Sequence, residues 1–211
     1  MVQAPEVTSG VAARPDDLSA KDQGASLVPR ILFLCTANRC RSPLAEQIMR
    51  RILHEQGLRA LISSAGLLQG GFRTPPTGIA VALSNGLDLS RHRSVQVSTR
   101  LIEVSDVILT MSRAHAREIV ALNPESWPRV YPLKQFTQLL SSASLPRRSY
   151  LRDATTLLGE TRKRSSILGN PLADTVRDPM GTPHDVWQAV IDDIREQLQL
   201  VAVALAPLMA K

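Results

Sequence analysis

The chain has 211 residues, 44% of them hydrophobic, which suits one compact domain with a real core and is too short for two ordinary domains and a linker. Lysine and arginine number 25 against 19 aspartate and glutamate, a net charge of +6 that favours anionic partners without choosing among them. Aromatics are only 3% of the residues and none is interleaved with a basic run, no apolar stretch approaches the roughly 20 residues of a membrane span, and two cysteines are too few for a disulfide scaffold or a cysteine-based zinc site, so neither nucleic-acid binding nor membrane insertion is expected.

Residues 1–28 mix Pro, Ser, Gly, Ala, Asp and Lys without periodicity and read as a flexible tail, leaving a domain at 29–208. The tail holds two basic and four acidic side chains, so the remainder carries a surplus of about +8. It lacks a basic start followed by an apolar stretch, so no secretory signal is read and a cytoplasmic location is expected.

Structure begins at Arg30, where Ile31-Leu32-Phe33-Leu34 is a short apolar run of the kind found in a buried parallel strand, ending at Cys35. The loop from Thr36 to Arg41 leads to Ser42-Pro43, read as a helix N-cap with proline at the first helical position, and Leu44, Ile48, Ile52 and Leu53 then recur at helical spacing. A second strand is predicted at Ala60 to Ser64, running into Ala65-Gly66. After a Gly/Pro-rich loop from Gly70 to Gly78, a helix over Ile79 to Ser84 stops at Asn85-Gly86. Val107 to Met111 is the third strand candidate and Arg129 to Leu133 a weaker fourth, with a helix at Arg113 to Leu122 between them. Leu151, Ala154, Leu157 and Leu158 suggest an amphipathic helix within a basic segment, 145–169, that carries six Lys/Arg and two Asp/Glu. Finally Thr182-Pro183 is read as the cap of a helix with an apolar stripe of Trp187, Val190, Ile191, Ile194, Leu198, Val201 and Leu205. Strands alternating with helices predict a doubly wound α/β fold with a parallel sheet, whose binding crevice lies at the strand C-termini, and Cys35 falls there.

Cys35 and Arg41 are separated by five residues in Cys35-Thr36-Ala37-Asn38-Arg39-Cys40-Arg41-Ser42-Pro43. A loop that joins a buried strand to a helix N-terminus presents unpaired backbone N–H groups and the positive end of the helix dipole, an anion site about the size of a phosphate. The same field, with Arg41 nearby, stabilises negative charge on the sulfur of Cys35 and suits it to act as a nucleophile. Arg41 can bind two phosphoryl oxygens at once, a geometry lysine cannot copy. Two readings stand for Cys35, a small core residue at a strand end or this nucleophile, and the surrounding pattern favours the second. Ser42 can serve as helix cap and as hydrogen-bond donor to the cysteine sulfur. Asn38 reads as a loop organiser that tolerates a left-handed backbone. A proton donor for the leaving oxygen is still needed; Asp178, in Arg177-Asp178-Pro179-Met180-Gly181, is the candidate, although the same stretch is also a plain turn before the last helix.

The segment Cys35 to Pro43 resembles the phosphate loop of the low molecular weight protein tyrosine phosphatases, whose pattern is Cys-x-Gly-Asn-x-Cys-Arg-Ser-Pro. The likeness continues, in the family's order, through Ser64-Ala65-Gly66, Gly86-Leu87-Asp88-Leu89-Ser90, His92-Arg93-Ser94, Asp106 to Met111 with His115, and Asp178-Pro179. The resemblance implies a three-layer fold with a four-stranded parallel sheet flanked by helices, with Cys35 as nucleophile, Arg41 as phosphate clamp, and Asp178 as acid and then base for a phosphocysteine intermediate. It implies a phosphate site formed by Thr36, Ala37, Asn38, Arg39, Cys40, Arg41 and Ser42, held by Asn38, Ser42, Ser64 and His92. Cys40 matches a neighbour that forms a reversible disulfide with the nucleophile. No metal and no cofactor are implied; the partner implied is a tyrosine-phosphorylated protein, a tyrosine kinase among them.

The departures are specific. Ala37 stands where the family has glycine, at a cost of about 1 kcal/mol if that residue takes positive φ. Arg39 replaces an apolar residue beside the pocket and adds charge where substrate choice is made; arginine phosphatases of this fold carry threonine there, so Arg39 argues against phosphoarginine. Met180 replaces the aromatic that covers the phosphotyrosine ring, and Phe72 is a candidate replacement wall. An arsenate reductase using an external small thiol is the rival reading, along with a phosphatase for another phosphoester. No cysteine follows Cys40 to relay a disulfide, and a candidate acid at Asp178 suits ester hydrolysis.

Overall fold

Ile31, Leu32, Phe33 and Leu34 are wholly buried, which a strand achieves only when both faces of its sheet are covered. They form β1 (Arg30–Cys35), which pairs in parallel with β2 (Leu61–Gly66) on one side and β3 (Val107–Thr110) on the other. β4 (Val130–Pro132) closes the sheet, giving the order β2-β1-β3-β4, and Pro132 sits on this short edge strand where a missing N–H costs least. The computed structural model describes residues 28–142 and 149–209. Almost all of the expected tail, and residues 145–148 of the basic segment, lie outside the described residues.

Alternation along β1 divides the core. Ile31, Phe33 and Cys35 face a large cluster with side chains of α1 (Arg41–Glu55), α5 (Leu133–Ser142), α6 (Leu151–Glu160) and α7 (His184–Leu205), while α2 (Pro76–Ser84) adds Val81 and Ala82. Leu32 and Leu34 face the other layer, where Ile102 of α3 (Thr99–Val104) and Ala116 and Ile119 of α4 (Arg113–Leu122) pack. The result is the three-layer fold with four parallel strands that the sequence predicts. On α7 the apolar stripe from Trp187 to Leu205 is buried as its spacing requires.

Several local expectations are corrected. α1 starts at Arg41 with Cys40 as its uncapped N-terminal neighbour, so Ser42 lies inside the first turn and its hydroxyl is turned to the crevice. α7 follows Pro183 without a side-chain cap, because the Thr182 hydroxyl donates to the Pro179 carbonyl at 2.7 Å. α2 begins three residues before Ile79, since proline at its first positions already has helical φ. Helices α3 and α5 are additions to the sequence reading; α3 is too short for a periodic signal, although Ser98 caps it. Leu157 of α6 is exposed, whereas Leu151, Ala154 and Leu158 are buried. Two arginines of the basic segment are used in packing: Arg152 pairs with Asp106 at 3.1 Å, and the Arg162 guanidinium lies 3.8 Å from the Tyr131 ring centroid and 4.5 Å from that of Trp127.

Candidate active site

The loop after β1 emerges in the middle of the sheet, where the connection through α1 turns to β2 on one side and the chain later crosses to β3 on the other. This is the switch point at which a doubly wound sheet opens a crevice. Cys35 is in register with Gly66 at the end of β2. A Cβ on Gly66 would lie 2.7 Å from backbone atoms of Ala37 and Asn38, so the loop can pack here only against glycine. Beyond it, the first turn of α1 supplies the free N–H groups that any helix start leaves.

One side chain holds the middle of this loop. Asn38 is wholly buried and has φ of 50°, so the left-handed residue is Asn38 and the Ala37 departure carries no such strain. Its amide donates to Ser42 Oγ at 2.9 Å and to Ser64 Oγ at 2.8 Å, and its Oδ1 accepts the Val95 amide at 2.8 Å. The Asn38 carbonyl accepts from His92 Nε2 at 2.7 Å, and the Ser64 hydroxyl donates to Glu46 Oε2 at 2.6 Å. Asn38, Ser42, Ser64 and His92 are thus brought together; Glu46 and the Val95 amide are members that sequence reasoning missed, and nothing in their local pattern singles them out. Ser42 Oγ also lies 3.1 Å from Cys35 Sγ and 3.2 Å from the Ala65 carbonyl.

Arg41 is buried, with 7% of its side chain exposed. Its Nη2 donates to Asp178 Oδ2 at 2.6 Å and to Thr36 Oγ1 at 3.3 Å, and its Nη1 to the Val176 carbonyl at 3.3 Å. Its Nε, buried, has no acceptor among the described residues. Asp178 is 48% exposed, and its other oxygen accepts the Met180 amide at 3.1 Å, so the turn expected here and the contact with Arg41 coexist. Thr36 Oγ1 lies 2.9 Å from Nε2 of His115, whose Nδ1 lies 3.1 Å from Ser112 Oγ. Burial, and then the charge of Arg41, pushes the His115 imidazole down to about 4, so it is neutral at physiological pH. His115 stands in the family resemblance without a role, and its local pattern, three residues after the Ser112 cap of α4, gives no hint of the crevice.

Cys35 and Cys40 are both free and buried. Burial pushes the Cys40 thiol up to about 12, so it remains protonated. At the rim Arg39 donates to the Arg73 carbonyl at 2.9 Å with its guanidinium 5.7 Å from the Phe72 ring centroid. Phe72 and Met180 are both exposed. Among the described residues no three His, Cys, Asp or Glu side chains gather as a metal site, and no helix is long and apolar enough to cross a membrane.

Residues 30–146 match the family described as low molecular weight phosphotyrosine protein phosphatase. The chain is 33% identical over 112 residues, 53% of its length and 75% of the relative's, to a "probable low molecular weight protein-tyrosine-phosphatase EpsP" of Ralstonia solanacearum. It is 29% identical over 176 residues to the protein-arginine-phosphatase of Bacillus subtilis, a match that covers 83% of this chain and 95% of that one. The crystal structure of a low molecular weight protein tyrosine phosphatase from T. tengcongensis has the same fold, with a TM-score of 0.64 at 24% identity over 83% of this chain and 98% of that one.

Proposed function

The chain belongs to the low molecular weight phosphotyrosine protein phosphatase family, and from that premise we propose that Cys35, Arg41 and Asp178 are the nucleophile, phosphate clamp and general acid of its reaction. The enzyme is a hydrolase that removes the phosphoryl group from phosphotyrosine on proteins through a phosphocysteine. One observation carries the assignment: buried Arg41, with an unpartnered Nε and a hand on Asp178, follows Cys35 on the loop that opens the helix N-terminus. A phosphoryl dianion entering the crevice takes over Arg41 from Asp178, and the carboxylate released from that cation takes up a proton from solvent. The backbone of Thr36, Ala37, Asn38, Arg39, Cys40, Arg41 and Ser42 then surrounds its oxygens.

The Cys35 thiolate attacks phosphorus, the P–S bond forming as the P–O bond to tyrosine breaks, and Asp178 gives its proton to the departing oxygen. Water next attacks phosphorus and gives a proton to Asp178; the sulfur leaves as a thiolate that receives a hydrogen bond from Ser42, whose Oγ stands 3.1 Å away. Asn38, Ser42, Ser64 and His92 keep the loop in the shape this requires. Cys40 has a further role in the same reading: peroxide turns Cys35 into a sulfenic acid, and the Cys40 thiol converts it to a disulfide with loss of water. A tyrosine kinase and its phosphorylated products are the partner class. The cytoplasm is the matching compartment, because the nucleophile needs reducing surroundings to remain a thiol.

A second reading, hydrolysis of phosphoarginine, is favoured by the long match to the arginine phosphatase, which runs beyond the residues of the family match. Against it stands Arg39, a cation at the rim beside Phe72 that repels a guanidinium and welcomes an aromatic ring. Turnover of p-nitrophenyl phosphate without added metal should fall by at least about 10³-fold in Cys35→Ser. Equal rates for the two proteins would sink the mechanism. On peptides, faster phosphate release from phosphotyrosine than from phosphoarginine is expected, and the reverse order would replace the first reading by the second.

A further inference from the structure

The Thr36 hydroxyl meets two nitrogen atoms. Arg41 Nη2 can only donate to it, at 3.3 Å, whereas His115 Nε2, at 2.9 Å, donates or accepts according to where the imidazole proton sits. Ser112 decides between the two. Its Oγ, in a residue 4% exposed, accepts the His115 backbone N–H at 3.3 Å as the cap of α4 and lies 3.1 Å from His115 Nδ1.

If the imidazole proton were on Nδ1, Ser112 Oγ would accept twice and its own hydrogen would be buried with no acceptor among the described residues, an unfavourable arrangement. With the proton on Nε2 the conflict disappears, because the Ser112 hydroxyl donates to Nδ1 and Nε2 donates to Thr36. Thr36 Oγ1 then accepts from both His115 and Arg41, and its one hydrogen is free for a third partner. Thr36 follows Cys35 at the mouth of the crevice and is only half-buried, so that hydrogen is available to an incoming anion. The charged groups that face the imidazole are Arg41, from α1, and Asp178, from the segment before α7.

We propose that His115, held by Ser112, is a positioning residue that fixes the Thr36 hydroxyl as a side-chain hydrogen-bond donor to the phosphoryl group. The proposal rests on the phosphatase reading for the identity of the anion. The relay delivers a polarised donor beside the Arg41 clamp, a contact additional to the loop amides.

The test joins binding and turnover. In the full chain, Thr36→Val and His115→Ala should each weaken binding of inorganic phosphate, read by calorimetry, by about ten-fold, as expected for one hydrogen bond to a charged group. Each should lower kcat/KM for p-nitrophenyl phosphate to a similar extent. Thr36→Ser, which keeps a hydroxyl, and His115→Gln, whose amide can still donate, should stay within about three-fold of the parent. The double variant should be no weaker than Thr36→Val alone, because both changes remove the same contact. Imidazole ¹⁵N shifts should show the proton on Nε2. Multiplying effects in the double variant, unchanged phosphate binding in His115→Ala, or a proton on Nδ1 would each overturn the proposal. Phosphate binding with this coupling but no hydrolysis would overturn the phosphatase reading and leave the relay standing.

Discussion

Between Cys35 and Arg41 the chain is pinned at its centre, where buried Asn38 holds Ser42, Ser64 and the Val95 amide and is itself held by His92. Between Val176 and Gly181 the anchoring is one-sided. The Val176 amide is fixed to the Met111 carbonyl at 3.0 Å, whereas Asp178, half-exposed, is tied inward by the single contact to Arg41. A cradle for a phosphoryl group loses binding energy whenever its donors must reorganise, so its cost is met in advance by a closed network. An acid has the opposite requirement. It must yield Arg41 to the substrate, collect a proton and return it, which a carboxylate on a turn can do and a buried one cannot.

Asp178→Asn should therefore separate the two regions most sharply. With a poor leaving group such as phenyl phosphate, kcat should fall by about 10³-fold, because no proton reaches the departing oxygen. Phosphate inhibition should be preserved or strengthened, since the cradle is intact and Arg41 no longer has an anionic competitor. Weakened phosphate inhibition in this variant would mean that Asp178 belongs to the cradle. The complementary change, Asn38→Ala, should cost about 3 kcal/mol of unfolding free energy by denaturant titration. It takes one partner each from Ser42 and Ser64, leaves the Val95 amide without its acceptor and places alanine at φ of 50°. A loss below about 1 kcal/mol would show that the loop does not depend on its central residue.

What could be read beforehand divides along the same line. The Ile31 to Leu34 run and the stripe of α7 were legible because burial on two faces, or along one helix face, leaves a periodic mark in the residue types. Cys35 and Arg41 were legible because their spacing falls on a strand-to-helix turn. The network around them was readable only in part. Asn38 is marked by its residue type, whereas Glu46 and Val95 act from elements remote in sequence, one through a side chain common on any helix and the other through a backbone amide that has no residue signature. Ser42 reads both as a cap and as a partner of the sulfur, because a serine before a proline looks the same whether its hydroxyl turns to the helix or to a sulfur, and the structure keeps the second contact alone. The Asp178 turn is encoded by Asp-Pro-x-Gly, but its pairing with Arg41 depends on a contact 137 residues apart.

His115 meets the first region through Thr36 and feels the charge of Asp178 in the second, and its titration gives the smallest and most selective probe. Its imidazole sits at about 4 in the folded chain against an unperturbed 6.5, because burial and then Arg41 oppose the proton, with Asp178 partly compensating. The unfolded chain therefore binds more protons between those values. Stability is full above about pH 6.5, falls as the pH drops toward 4, and receives no further change from this group below that. The slope expected from one such histidine is about 1 kcal/mol per pH unit across the window. Other groups titrate there too, so the informative quantity is the difference between the parent and His115→Gln, which cannot take a proton. Unfolding free energies at pH 7 and pH 5 should diverge more in the parent than in the variant. Equal divergence would mean that His115 is protonated without strain beside Arg41, and that the cradle tolerates a second positive charge at its edge.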